Sequence, residues 1–467
     1  MQTLFWYDYE TFGLDPQRDR PVQFSGLRTT LDLEVLGPPI TLYSRLADDY
    51  IPHPEACVTT AITPEISLEK GLRECEFIDR INTEFSASET CVVGYNSIRF
   101  DDEFTRYTLY RNLRDPYARE WRNGNSRWDL LNVVRMVRAM RPEGINWPTN
   151  ELGQPSLRLE HLTKANGIDH QAAHDAESDV LATLALARCV REAQPRMFEF
   201  LFEHRGKAAV ERLLAIGSQT PLVMCASRLH SHPLQVSVVM PLRRHTSRSN
   251  SVWLIDLLMS PEETLNKCLK EQASKPPGLI SLQINQCPAL APLNTLRGVD
   301  AERLGISLEM VSAHRRIVEE RWDEYLAFID DQEQVESQVR KPSSQPVDQQ
   351  LYDGFIGQED RHKLNLFLSL PPSEQTHYRT RWDDERLEGL VFMYRARNYP
   401  ESLRAEERER WAEQRSSRLL NPLLGNGLTP DLFMERINLI EQAPNLTPSV
   451  KATLTSLKRF ISAIVTE

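Results

Sequence analysis

The sequence has no run approaching the ~20 apolar residues that a membrane span requires, and no cysteines in pairs. Its seven cysteines (Cys57, Cys75, Cys91, Cys189, Cys225, Cys268 and Cys287) are scattered, odd in number and never spaced C-x-x-C. That pattern argues against a disulfide framework or a thiolate zinc site, and reduced thiols in a cytoplasmic protein are expected. The opening residues, MQTLFWYDYE, have neither the basic stretch nor the apolar segment of a secretory leader, so none is expected. There is no Walker loop and no nucleophile elbow. Nor is there an excess of positive charge: the formal net charge is −11. This argues against a nucleic-acid coat protein or basic tail. It leaves room for an enzyme acting on nucleic acid, because binding depends on the local potential in a cleft.

At 467 residues, with 40% hydrophobic and 26% charged residues, the chain reads as two or three globular units. Residues 4–10, 21–30 and 33–44 have strand character, the last interrupted by Gly37-Pro38-Pro39. A helix is predicted over roughly 68–85, then a short apolar strand over 91–94. Further helices are predicted over 101–112, 129–140, 159–166 and 175–192. Strands followed by a strand among helices imply an α/β unit with a mixed sheet over residues 1–194. Short β-like runs recur between 221 and 292, as in a small barrel, and place a middle unit over 195–345. Residues 340–348 read as a polar linker, and 349–467 as almost wholly helical.

The chemistry-bearing residues lie in the first unit. Asp8 and Glu10 stand two apart in a strand, so both carboxylates share one face while Tyr7 and Tyr9 take the other. A solvated D-x-E is the ordinary reading of such a pair. Here the strand is strongly apolar and aromatic, and two close carboxylates repel unless a cation neutralises them. Hard oxygen donors select Mg²⁺ or Mn²⁺. Asp101 follows the strand over 91–94 and either joins the same cleft or caps the next helix, and Asp102 is equally eligible. His174-Asp-Ala-Glu-Ser-Asp179 opens an apolar helix. Asp175 is placed to cap it, His174 falls in the preceding loop, and Asp179 lies one turn in beside Val180, Leu181 and Leu184, where an ionised carboxylate requires a partner.

These motifs, in this order, resemble those of the DEDDh 3′→5′ exonucleases, which have a ribonuclease H-like fold. The likeness extends to the exonuclease I family of proteobacteria through YDYETFGLDPQRDRPVQF, GYNSIRFDDEFTRY, NSRWDLL, RPEGINWP, LRLEHLTKANGI and AHDAESDV, and later through NTLR and YRARNYP. The resemblance implies a ribonuclease H-like exonuclease domain, an SH3-like middle domain and a helical C-terminal domain. It implies processive 3′→5′ hydrolysis of single-stranded DNA to 5′-mononucleotides, in repair and recombination. Asp8, Glu10 and Asp179 would bind Mg²⁺, two ions per site, with Asp101 completing the acidic set and His174 as general base. Thr11 would touch the terminal nucleotide and Arg158 a phosphate. RNA-trimming exonucleases and proofreading subunits share the catalytic motifs but consist of little beyond the first domain.

Between the third acid and the last motif, arginines alternate with aromatics, as suits phosphates and unpaired bases. Arg106, Tyr117, Trp121 and Arg135 are the candidate strand contacts. A second basic stretch comprises Arg228, His230, His232, Arg243, Arg244, His245 and Arg248, with no acid before Asp256. The resemblance also implies a monomer, and a partner in the acidic C-terminal tail of the single-stranded DNA-binding protein.

Overall fold

In the computed structural model the described residues are 2–170, 174–229, 232–271, 277–339 and 345–466. Aromatic and β-branched residues make TLFWYDYET a strand, β1 (Thr3–Thr11). It lies at the centre of a five-stranded sheet ordered β3-β2-β1-β4-β5. β2 (Pro21–Thr29) and β3 (Ile40–Tyr43) run antiparallel to their neighbours, whereas β4 (Thr90–Gly94) and β5 (Ser126–Asp129) run parallel. The sheet is therefore mixed, as predicted. On one face Phe5, Tyr7 and Tyr9 pack with Phe24, Phe77 and Phe85 beneath α1 (Glu74–Ser86). Gly26 admits this layer, because a Cβ there would lie 2.4 Å from the Phe5 ring. On the other face Leu4 and Trp6 meet α3 (Leu130–Met140) and α4 (Ala176–Ala193). Ahead of both in sequence, α2 (Asp101–Arg111) follows β4.

Three local expectations are corrected. The third strand is confined to Ile40–Tyr43, since Gly37-Pro38-Pro39 stops the ladder. The helix expected over 68–85 is two, Pro64–Lys70 and Glu74–Ser86. They divide at Gly71, where any Cβ would lie 2.3 Å from the Ser67 carbonyl and 2.4 Å from the Arg45 nitrogen. Asp129 ends β5 and caps α3 by accepting from Leu131 N, so a strand precedes the predicted helix.

The second sheet is wholly antiparallel, ordered β10-β6-β7-β8-β9. Its strands are β6 (Leu222–Cys225), β7 (Val236–Arg244), β8 (Ser251–Asp256), β9 (Leu279–Gln283) and β10 (Ala289–Pro292). Helices α5 (Leu308–Glu320) and α6 (Trp322–Val339) follow. Val223, Cys225, Val236 and Val238 belong to the same apolar cluster as Trp6, Val134 and Leu184, so the two units share one core. Three arginines of the basic stretch of the middle unit are neutralised by acids distant in sequence. Arg243 pairs with Asp330 at 2.6 Å, Arg244 with Glu211 at 3.0 Å and Arg248 with Glu336 at 2.6 Å. His232 and His245 are bonded to Leu304 O and Glu336, and His230 lies outside the described residues.

The C-terminal unit is helical, including α7 (Arg386–Asn398), α8 (Ala405–Leu420), α9 (Pro430–Glu441) and α10 (Pro448–Thr466). It docks on the first unit through Phe12, Tyr50 and Ile51 against Leu428, Phe433 and Leu457, and through Tyr107 and Tyr110 against Leu364 and Leu387. Among the described residues no helix is long and apolar enough to cross a membrane.

The stretch expected to be a linker is not solvated throughout: residues 340–344 lie outside the described residues, but Asp348 is 1% exposed. Its carboxylate meets Arg397 at 2.8 Å, Arg418 at 3.0 Å and Arg20 at 3.5 Å. Asp49 shares Arg397 and Arg418 at 2.6 and 2.8 Å. Burial opposes ionisation here, but these arginines outweigh it. Asp49 is held at about 2, and Asp348 lies well below the usual carboxylate range. Removing one side of a buried network leaves uncompensated charge. Asp348→Ala is therefore expected to cost about 3–5 kcal/mol in urea unfolding, and a loss below about 1 kcal/mol would contradict this account. Both carboxylates have depressed native pKa values. Their stabilisation is full above about pH 4, the unfolded value, and is lost as pH falls through the native one. The variant should lack that part of the acid lability.

Candidate active site

The period of two along β1 assembles the site. Leu4 and Trp6 fill the core under α4, and the same face continues as Asp8 and Glu10 where the strand leaves the core. Gln23 stands opposite Glu10 on β2 and donates to Asp175 Oδ1 at 2.9 Å, tying the start of α4 to the sheet. Asp175 caps α4 by accepting from Ser178 N at 3.3 Å. This leaves His174 exposed just before the helix, in the left-handed backbone region at φ 68°. Asp179 sits in the first turn; Val180 and Leu184 beside it are buried, whereas Leu181 is exposed.

Asp101 and Asp102, interchangeable in sequence, separate in space. Asp101 opens α2, accepts from Tyr9 N at 3.3 Å and faces the cavity. Asp102 turns away into a buried network with Tyr7, Arg119 (2.6 Å) and Arg127 (2.7 Å). Burial would raise its pKa, but Arg119, Arg127 and Arg106 hold its carboxyl well below the usual range. Asp102 is thus committed to holding α2 in place.

Asp8, Glu10, Asp101, His174 and Asp179 line one cavity of about 680 Å³ together with Thr11, Asn96 and Phe100. Glu10, His174 and Asp179 each offer a ligand atom within 4.8 Å of the others, the one such group among the described residues. Burial, then the neighbouring carboxylates Asp101, Asp179 and Glu10, push Asp8 far above its ordinary value. Burial and Asp179 push Glu10 up to about 8. Asp101 is raised by burial and Asp102, and Asp179 by burial, which its contacts with His170 and His174 partly offset. So much negative charge in one poorly hydrated space calls for protons or cations, and oxygen donors favour a hard divalent ion.

Of the remaining sequence candidates, only Thr11 lines this cavity. Thr11 is buried at the cavity and donates to Gly13 O at 2.7 Å. The Arg158 side chain is 74% exposed, with Glu160 at 3.7 Å, outside the cavity lining. Arg106 is buried and bonded to Glu103 (2.5 Å) and Glu120 (2.7 Å). Arg135 is buried against Asn132 and Gln235. Tyr117 packs between Arg106 and Phe355, whereas Trp121 stands 64% exposed beside Arg122.

Sequence reasoning missed several contributors. His170 contacts Asp179 Oδ1 at 2.5 Å through Nε2 and Thr163 through Nδ1, which fixes the carboxylate's orientation. A lone histidine nine residues upstream carries no spacing signal. Asp19 and His53, paired at 3.4 Å, line the far wall. Asn426 and Arg436 reach the cavity from the C-terminal unit, and no local pattern foretells such a contact.

The raised acids imply that the metal-free cluster retains protons at neutral pH, which a divalent ion would displace. Calorimetric titration of Mg²⁺ at pH 7 should give heats that differ between buffers of high and low ionisation enthalpy, corresponding to release of about one proton. The difference should shrink as pH rises through the titration of Glu10 at about 8. Equal heats in both buffers at pH 7 would show that the cluster is already ionised.

Family models match along the chain: an exonuclease domain over residues 5–187, an exonuclease I SH3-like domain over 205–327 and an exonuclease I C-terminal domain over 345–464. Exodeoxyribonuclease I of Escherichia coli K12 is 40% identical over 480 residues, covering 99% of this chain and 98% of that protein. That of Haemophilus influenzae is 41% identical, covering 89% and 90%. The solved structure of a moderately thermophilic exonuclease I from Methylocaldum szegediense superposes with a TM-score of 0.92 at 43% identity, covering both chains fully. The sheet order, the acidic cavity and these full-length matches agree: the chain belongs to the exodeoxyribonuclease I family and is a DNA exonuclease.

Proposed function

We propose that the chain degrades single-stranded DNA processively from its 3′ end, releasing 5′-mononucleotides, with Asp8, Glu10, Asp101 and Asp179 as the acidic set and His174 as general base. The observation that carries this reading is the convergence of all five side chains on one cavity. The donor set fits Mg²⁺, with Mn²⁺ as a substitute: Glu10, Asp179 and Asp8 offer hard oxygens. Two such ions would lower the pKa of the attacking water and stabilise charge on the departing 3′-oxygen.

The chain's own residues do the rest. His174, exposed at the cavity, takes the proton of the water as its oxygen adds to phosphorus and the P–O3′ bond breaks. His170 holds Asp179 in orientation, and Thr11 abuts the terminal nucleotide. Trp121 and Arg158, the most exposed of the candidate contacts, receive a base face and a phosphate further along. Arg106 and Arg135 are buried and bonded to protein side chains and Tyr117 is half-buried against Arg106, so these three support the surrounding structure and are not assigned to the strand. Asn426 and Arg436 bring the C-terminal unit to the cavity, which supports enclosure of the strand and hence processivity.

Solved structures similar to this chain include E. coli exonuclease I in complex with a dA16 oligonucleotide and an SSB/exonuclease I complex with an inhibitor. They support single-stranded DNA as substrate and the single-stranded DNA-binding protein as partner here. A monomer acting in repair and recombination completes the proposal.

On matched DNA and RNA oligonucleotides, DNA should be degraded and RNA spared; equal rates would overturn the DNA assignment. His174→Ala should lower kcat by about 10²–10⁴-fold, the usual worth of a general base. Asp179→Asn should abolish Mg²⁺-dependent release, and nucleotide release surviving at wild-type rate in either variant would contradict the assigned roles.

A further inference from the structure

A second, smaller cavity lies where the C-terminal unit docks on the first, and it shares no lining residue with the acidic one. It measures about 30 Å³, with Arg20, Arg45, Arg73 and Glu74 of the first unit and Arg397 of α7 in its walls. Four guanidiniums thus surround one carboxylate. That carboxylate is already engaged, because Glu74 accepts from Arg111 at 3.0 Å and from Asn112 Nδ2 at 2.9 Å. Arg73 has Glu401 at 3.2 Å in an exposed pair. Arg45 is exposed and has no ion pair among the described residues.

The buried charges behind this cavity do not balance. Arg20, Arg111, Arg397 and Arg418 converge on Asp49, Asp348 and Glu74, four guanidiniums against three carboxylates. Asp48 and Asp19, the adjoining acids in sequence, are engaged by Arg415 and His53. Burial, with the guanidiniums of Arg111 and Arg397, lowers Arg20 to about 10 against the pull of Glu74 and Asp348. Acceptors are short as well as charge. Arg20 is 5% exposed, and its Nε has no hydrogen-bond acceptor, Glu74 standing 3.9 Å away. Arg111 Nε and Nη1 are buried in the same condition. A buried donor or charge without a partner is costly, and a bound ion or water is the usual remedy.

We propose that this cavity binds a small monovalent anion of the chloride class, and that the ion fastens the C-terminal unit to the first. Such an ion supplies both things the cluster lacks, one negative charge and an acceptor for Arg20 Nε. Size restricts the choice. One water needs about 10–15 Å³ of such space, so a cavity of about 30 Å³ admits a halide or two waters and excludes a nucleotide. Waters would answer the missing acceptor and leave the charge uncompensated. Glu74 in the wall disfavours a multiply charged anion. The exposed Arg45 and Arg73 give the ion a charged way in.

The test uses the full chain in thermal unfolding, with sodium chloride exchanged for sodium gluconate at constant ionic strength. An ion that binds the folded state alone raises Tm in a saturable way, whereas general salt effects do not saturate. Chloride and bromide should each raise Tm to a plateau, and gluconate, too bulky for the cavity, should not. Arg45→Gln should melt with the wild type in gluconate, since this side chain has no ion pair to lose. Its chloride midpoint should rise by about three- to fivefold, the worth of an exposed charge contact. Arg20→Lys keeps the charge and removes Nε, so its midpoint should rise by about tenfold, the worth of one charge-assisted hydrogen bond. Crystals grown in bromide should show an anomalous scattering peak within this cavity.

Identical melting of the wild type in chloride and gluconate would overturn the proposal and leave water as the occupant. A chloride response of equal midpoint in wild type and Arg45→Gln would place the ion elsewhere and overturn the site, as would a bromide peak confined to other surfaces. Should Arg20→Lys fail to fold, Arg45→Gln and the bromide peak decide the matter.

Discussion

The mutual repulsion of Asp8, Glu10, Asp101 and Asp179 is the constraint around which the first unit is built. Each is carried by backbone that has little freedom to move apart: β1 is pinned between β2 and β4, α2 follows β4, and α4 is tied to β2 through Gln23 and Asp175. The fold holds four acids together that would separate in a looser chain, and their raised pKa values register the strain. Cations relieve it. An arrangement stabilised by divalent ions and by the phosphate that follows them is suited to phosphodiester chemistry, because the same charges that oppose folding of the empty site favour a transition state rich in negative oxygen.

The other two units answer the mechanical side of that constraint. The middle unit shares its apolar core with the first, through Val223, Cys225 and Val238 against Val134 and Leu184. The C-terminal unit is fastened by two apolar clusters and by the buried ion network at Asp348 and Asp49. Arg20, which meets Asp348, is adjacent in sequence to Asp19, a lining residue of the acidic cavity. The clasp that holds the C-terminal unit therefore begins one residue from the site wall.

What the sequence made legible were features with local cause. The strand character of residues 4–10, the face shared by Asp8 and Glu10, the Asp175 cap and the position of His174 follow from periodicity and capping, and β1 and α4 appear where expected. The illegible features have distant cause. The split of the predicted 68–85 helix depends on Gly71 packing against Arg45, and the choice of Asp101 over Asp102 depends on Arg119 and Arg127 claiming the latter. The basic stretch around Arg243 looked unpaired because Asp330, Glu333 and Glu336 lie some 90 residues on. The supposed linker contained Asp348, whose partners lie far off in sequence. His170, Asn426 and Arg436 reach the site only through tertiary folding.

The central claim is that the four acids and His174 remove nucleotides from a 3′ end with the help of divalent metal. A time course on a 5′-labelled single strand with Mg²⁺ examines it most directly. The account predicts shortening from the 3′ end, with full-length strand and short limit products coexisting, and complete arrest when the metal is chelated. Early release of the label as a mononucleotide, or unchanged degradation in the presence of chelator, would contradict it.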